Sequence, residues 1–240
     1  MISIVPLAGP DFVHPTLGIK PLMPFDGEPL LRKVVTSRPW WRSGDLQPEG
    51  LIFVLRDLPE TTQMLNHLDD WFPGAQKVVL SSLTSGALMS ALAGVSLVKD
   101  FDLPLCVDLV DILYETPELI VDQFRTNQNL GGVVPYFSSQ EPCYSYFELN
   151  REGMVTKAVE KQVISSYASA GTYFFRDAAT YLNAVAFSLR HIKELSVQRC
   201  LFVCPAMNYL VSAAQQVKPI QVSNVRSISK IFHTRVKEND

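Results

Sequence analysis

The chain has 240 residues, 47% hydrophobic and 19% charged, which fits a chain with a sizeable buried core and excludes disordered and fibrous classes. Its formal net charge of -3 comes from interspersed acids and bases, with no lysine or arginine run able to track a polynucleotide backbone. Polar residues interrupt every apolar stretch short of membrane-spanning length, and the start MISIVPLAGPDF lacks the basic region and cleavage site of a signal peptide, so a cytoplasmic protein with no membrane partner is expected.

Taken in chain order, β-rich runs predict strands over 2–7, 51–55, 77–80 and 103–110. Helical patterns lie between them. Pro59 precedes Glu60, and Met64, Leu65, Leu68 and Phe72 recur at helical spacing until Pro73 and Gly74 stop the run. Leu88, Ala91, Leu92 and Val95 make one stripe of a helix over 87–98, and Pro117 opens another carrying Leu119, Ile120, Gln123 and Phe124. Alternation of this kind predicts a doubly wound α/β sheet with parallel strands.

The second half changes character. Runs over 144–149 and 154–159 flank the turn NREG and read as an antiparallel hairpin closed by Gly153. A strand over 170–175 follows, and Asp177 caps a helix with an expected inward face of Leu182, Val185, Leu189 and Ile192. No linker or repeat divides the chain, so one domain over 1–240 is expected.

Cys106, Cys143, Cys200 and Cys204 are too sparse for a disulfide framework and read as buried, reduced thiols. The segment CLFVC reads as a strand rather than a zinc site, because its spacing is wrong and no histidine is near. His14, His67, His191 and His233 show no spacing that brings two together, so none is assigned to catalysis. Trp40 and Trp41 are expected to cover hydrophobic surface, with a subunit contact in a homo-oligomer as the alternative.

Several segments, in order, resemble a known family. They are IVPLAG followed by KPLMPFDGEPLL, then LTSGALMSALAG, PLCVDLVDILYE, the long run from GGVVPYF through KAVEKQV to AGTYFFRD, and LFVCPAMNYLV. Together they resemble the nucleotidyltransferases that join a sugar 1-phosphate to a nucleoside triphosphate, over nearly the whole chain. The resemblance implies a Rossmann-like, GT-A-type fold: a mostly parallel mixed sheet flanked by helices, with an antiparallel hairpin extension. It implies a nucleoside triphosphate and a sugar phosphate as partners, and Mg²⁺ as cofactor.

In such a transferase a sugar phosphate oxygen attacks the α-phosphorus and pyrophosphate leaves, so the protein positions two anions and neutralises growing charge without a nucleophile of its own. Lys20 follows the first strand and a segment containing Gly9 and Gly18, where its ammonium could reach a phosphate. The bland alternative is a solvated loop lysine. Asp108 and Asp111 lie near the carboxyl end of a predicted parallel strand, the edge where open α/β sheets place ligands. A hard Mg²⁺ ion takes one such carboxylate plus phosphates and water, and the alternative is an exposed strand-end pair.

By resemblance Lys20 and Asp111 are catalytic, Asp111 holds the metal, and Asp108 is a weaker metal candidate. Leu7, Ala8 and Gly9 fall on the nucleotide-holding segment and Gly86 on the base-contacting turn. Glu160 accepts from sugar hydroxyls and Lys161 holds the sugar phosphate, the alternative being an ordinary surface pair. Gly171 gives the sugar close approach to backbone, and Asn208 binds near the sugar or metal; a structural glycine and a pinned loop are the alternatives.

One segment departs from the pattern. The family's phosphate loop reads GxGxR, whereas Gly9 is followed here by Pro10, Asp11, Phe12 and Val13. Pro10 has no N–H to donate, Asp11 adds negative charge beside a triphosphate, and no arginine clamps pyrophosphate. Two functional classes follow: a magnesium-dependent nucleotidyltransferase, or a sugar-nucleotide-binding regulatory module with weakened chemistry. A glycosyltransferase is disfavoured by DLVD, which is not the DxD spacing of many metal-dependent members of that class.

Overall fold

The computed structural model describes residues 1–116 and 120–228. The helix start expected at Pro117, with Leu119, lies outside those residues, as does His233.

Among the described residues, four parallel strands form one end of a ten-stranded mixed sheet, in the spatial order Leu105–Asp108, Ile2–Pro6, Leu51–Arg56 and, at the edge, Gln76–Leu80. The first three are buried on both faces, which is why they read as nearly unbroken apolar runs. Pleating sends Val5, Phe53 and Cys106 to one core and Ile4, Ile52 and Val107 to the other. Helices Leu30–Ser37 and Thr61–Trp71 cover the first side, and Ala87–Val95 and Ala178–Arg190 the second.

Beyond Leu105–Asp108 the sheet turns antiparallel through Thr172–Phe175. Strands Tyr167–Ser169 and Thr172–Phe175 run along the same edge of Leu130–Ser138, interrupted at Ala170 and Gly171, where Gly171 has φ +76°. The hairpin Tyr146–Leu149 with Val155–Val159 closes this side, and its turn is held by Asn150 Oδ1, which accepts from Glu152 N and Met154 N. Gln216–Gln221 pairs in parallel with the other edge of Leu130–Ser138. Among the described residues no helix is long and apolar enough to cross a membrane.

Three expectations need correction. The helix after Asp177 is capped as read, with Thr180 N donating to Asp177 Oδ1 at 2.7 Å, but Leu182, Leu189 and Ile192 are exposed. Its buried face is Ala178, Tyr181, Ala184, Val185 and Ser188, because small residues let the helix approach the sheet and Tyr181 Oη reaches Leu88 O at 2.7 Å. The CLFVC segment is not a strand: Leu201 N donates to Ser85 O and Leu201 O accepts from Leu88 N, after which a short helix Val203–Ala206 begins. Cys143 is exposed and Cys200 half-buried, while Cys106 and Cys204 are buried. Trp40 lies in the core, edge-on to Phe174 at 4.9 Å, and Trp41 is half-buried against Phe72.

Candidate active site

The carboxyl ends of two adjacent parallel strands frame the site. Ile2–Pro6 runs into Leu7, whose N–H continues the ladder to Val54 O at 2.7 Å, and then into the altered loop. Phe12 turns inward and is 3% exposed, which anchors the loop by apolar burial. Gly9 O accepts from Phe12 N at 3.3 Å, and Phe12 O accepts from Lys20 N at 2.9 Å. Between them Val13–His14 pairs with Gly18–Ile19 as a short hairpin. Leu7 and Ala8 are buried and Gly9 is half-buried, so this segment presents mainly the backbone near Gly9 and the side chain of Asp11 to solvent.

The hairpin delivers Lys20 to Asp111. Its Nζ donates to Asp111 Oδ1 at 3.0 Å and to Asp11 Oδ2 at 2.7 Å, with side chains exposed by 17%, 40% and 68% for Lys20, Asp111 and Asp11 respectively. One ammonium therefore serves two carboxylates. Burial works against the charged lysine, but Asp111 and then Asp11 outweigh it and hold the Lys20 pKa above its ordinary value. Asp111 moves up as well: lost hydration comes first, the pull of Lys20 opposes it, and repulsion from Asp11 and Asp108 adds to it.

Asp108 does not share this cluster. Its Oδ2 and Oδ1 accept from Arg38 Nε at 2.7 Å and Nη2 at 2.8 Å, and the two side chains are 2% and 1% exposed. Both oxygens of Asp108, the weaker metal candidate, are thus committed to a buried ion pair. Asp111 fits a single-carboxylate site for a hard cation: it is half-buried, and among the described residues no hydrogen-bond donor reaches its second oxygen. Among those residues no group of three or more histidine, cysteine or acidic side chains could hold a metal, so phosphates and water would have to complete the shell.

The second cluster sits beyond the end of Val155–Val159. Lys161 has φ +53°, and that turn lets its side chain leave the alternation of the strand; its ammonium lies 5.0 Å from the centre of the Phe202 ring. Glu160 is half-buried and accepts from Ser145 Oγ. Burial raises the Glu160 pKa, against the Ser145 bond and then Lys161.

A run of donors all pointing one way joins the two clusters. Gly171 N donates to Ser169 Oγ at 3.1 Å, Ser169 Oγ to Tyr173 Oη at 2.8 Å, Tyr173 Oη to Ser145 Oγ at 3.5 Å, and Ser145 Oγ to Glu160. At its other end Gly171 O accepts from Leu109 N at 2.9 Å, two residues before Asp111. The run thus ties Glu160 through Gly171 to Leu109.

Two residues assigned by resemblance have their groups committed to the scaffold. Gly86 precedes Ala87–Val95 with φ +107°, and a Cβ there would lie 2.3 Å from Leu201 O, so the glycine admits the Leu201 backbone. Asn208 Oδ1 accepts from Ala158 N at 2.9 Å while its Nδ2 donates to Ala158 O and Pro205 O. It pins the strand Val155–Val159 to the helix Val203–Ala206.

Reading the sequence missed Arg38, Ser145, Ser169 and Tyr173 and treated Asp11 only as an unfavourable charge. The one available signal was Arg38 itself, a charge placed between the apolar positions of LLRKVVTS and the PWW that follows.

The fold and its open strand-end edge define an architecture shared with nucleotidyltransferases that act on sugar and related phosphates. A nucleoside-diphosphate-sugar pyrophosphorylase from Vibrio cholerae RC9 superposes with a TM-score of 0.77 at 18% identity, covering 95% of each chain. A Bacillus anthracis protein described as a glucose-1-phosphate thymidylyltransferase, solved with a sucrose, gives 0.70 at 17% identity over 95% of this chain and 89% of its own. The inositol-1-phosphate CTP transferase of T. maritima gives 0.62 at 15% identity over 93% and 86%. No protein-family model and no curated protein matches the sequence.

Proposed function

We propose that the chain binds a nucleoside triphosphate and a sugar phosphate, or a related phosphorylated alcohol, along the strand-end edge and transfers the nucleotidyl group between them. The observation that carries this reading is the 3.0 Å contact between Lys20 and Asp111, which brings together a phosphate-binding cation and a cation-binding carboxylate from loops after two adjacent strands. Structural neighbours named for this chemistry support the class of substrate.

In the proposed reaction a phosphate oxygen of the sugar phosphate forms a bond to the α-phosphorus, the bond from that phosphorus to the bridging oxygen breaks, and pyrophosphate departs with the electron pair. Lys20 leaves its carboxylate partners and donates to phosphate oxygens, where a preorganised charge lowers the barrier most. Asp111 would hold Mg²⁺, which supplies charge neutralisation at the phosphates. Glu160, held by Ser145, accepts from hydroxyls of the second substrate, and Lys161 meets its phosphate.

A screen for pyrophosphate release across nucleoside triphosphates and sugar phosphates with Mg²⁺ tests the reading. Signal is expected for at least one pair and absent from Asp111→Ala; no signal above that control for any pair rejects transfer.

A second reading has its own observation. Asp11 lies 2.7 Å from Lys20, and Pro10 lacks the N–H that a phosphate loop would use. Under it the chain binds sugar nucleotides without turning them over. Calorimetric binding with no pyrophosphate release supports this second reading, and rapid product formation rejects it.

A further inference from the structure

We propose that Asp108, buried against Arg38, is a positioning residue for Asp111: its Oδ1 holds the segment after Leu105–Asp108 in the one conformation that sets Asp111 against Lys20. The inference deepens the proposed function and rests on it for what Asp111 binds.

The buried pair carries a cost. A charged pair 1% and 2% exposed gives up its hydration, and an apolar pair of similar volume is often as stable or more so. Arg38 Nη1 is also buried with no hydrogen-bond partner among the described residues, which stability alone would not favour. An apolar pair could not accept a hydrogen bond, and Asp108 does: its Oδ1, besides meeting Arg38, takes Val110 N at 2.9 Å.

Val110 requires that hold. Its φ is +53°, a left-handed conformation disfavoured for a β-branched side chain. The residues on either side are fixed too, Leu109 N on Gly171 O and Ile228 N on Asp111 O, both at 2.9 Å. Fastening three successive residues fixes the path of the chain directly after the strand and leads it to the Lys20 contact.

Arg38 in turn is held in place. Its guanidinium carbon lies 4.5 Å from the Tyr114 ring centre, and Tyr114 Oη meets Thr172 Oγ1 at 2.6 Å. Thr172 is the register partner of Asp108 across the antiparallel pair.

Two double variants separate positioning from plain structural support. Arg38→Met with Asp108→Asn removes both charges but keeps an acceptor for Val110 N; Arg38→Met with Asp108→Leu removes the acceptor too. Acylation of Lys20 by an activated ester, followed by mass spectrometry, reads the Lys20–Asp111 contact without any ligand. The Asn variant is expected to acylate close to the wild-type rate and the Leu variant about tenfold faster, the effect of losing one hydrogen bond. Equal rates in the two variants overturn the proposal. Mn²⁺ titration of the wild-type protein runs alongside: if the variants separate but the wild type takes no Mn²⁺, positioning stands and the reading of Asp111 as a cation ligand falls. Should either variant fail to fold, amide exchange in the wild-type protein decides, with Val110 N–H as slow as Val107 N–H expected and exchange at open-loop rates contradicting the proposal.

Discussion

The ammonium of Lys20 lies 3.0 Å from a carboxylate oxygen of Asp111 although 91 residues separate them in the chain. Each follows one of two neighbouring parallel strands, so the sheet register brings them together. Asp11, on the far side of the ammonium, makes the contact a shared one and gives the site an internal anion. From that sharing, and from the scaffold around it, four outcomes are expected.

Asp11 competes with any anionic ligand for Lys20. Because Asp11 is largely exposed, its pair with Lys20 is worth at most about 1 kcal/mol. Asp11→Asn should therefore tighten pyrophosphate binding about two- to fivefold by calorimetry. Unchanged or weaker binding would show that pyrophosphate does not meet Lys20.

The raised pKa of Asp111 in the folded protein fixes the sign of a pH effect. A carboxyl that holds its proton more tightly folded than unfolded costs stability when both states are ionised, and the cost vanishes once pH drops below the unfolded value. Asp111→Asn should then melt no lower than wild type at neutral pH, with any advantage closing as pH falls through the folded-state pKa. A variant clearly less stable than wild type at neutral pH would contradict this. Lys20 has the opposite dependence: its raised pKa adds stability below the unfolded lysine value, and that contribution is lost as pH rises through the folded one.

Ser145 donates to Glu160 and holds its pKa down against burial. Ser145→Ala should shift the Glu160 carboxyl titration, followed by carbon NMR, to higher pH, and should cost about 1 kcal/mol in denaturant unfolding. A Glu160 titration that stays in place or moves down would remove Ser145 from the framework.

Gly86 cannot accept a side chain. Gly86→Ala places a Cβ 2.3 Å from Leu201 O and forces φ +107° on a residue that disfavours it. A loss on the order of 2–4 kcal/mol is expected in equilibrium unfolding. Wild-type stability would mean that the Leu201 backbone moves aside freely.

Much of the fold was legible because period and punctuation agreed with tertiary structure. The buried strands Ile2–Pro6 and Leu51–Arg56 show as apolar runs, and Asp177 as a helix cap. The reading failed where packing overruled size. On Ala178–Arg190 the leucines drew attention, but Ala178 and Ala184 face the sheet because small residues allow close approach. The CLFVC run resembles a strand, yet the Leu201 backbone is spent on the helix Ala87–Val95. At the site, Lys20 and Asp111 were legible as residue types after strands, whereas the diversion of Asp108 to Arg38 depends on a contact 70 residues apart that no local pattern announces.

Calorimetric titration of a nucleoside triphosphate, with and without Mg²⁺, into wild-type, Lys20→Ala and Asp111→Ala proteins tests the central claim most directly. Wild type should bind more tightly with Mg²⁺ than without it, Lys20→Ala should bind about tenfold more weakly in both conditions, and Asp111→Ala should lose the Mg²⁺ enhancement. Identical isotherms for all three proteins would contradict a shared role for Lys20 and Asp111 in holding a phosphorylated ligand.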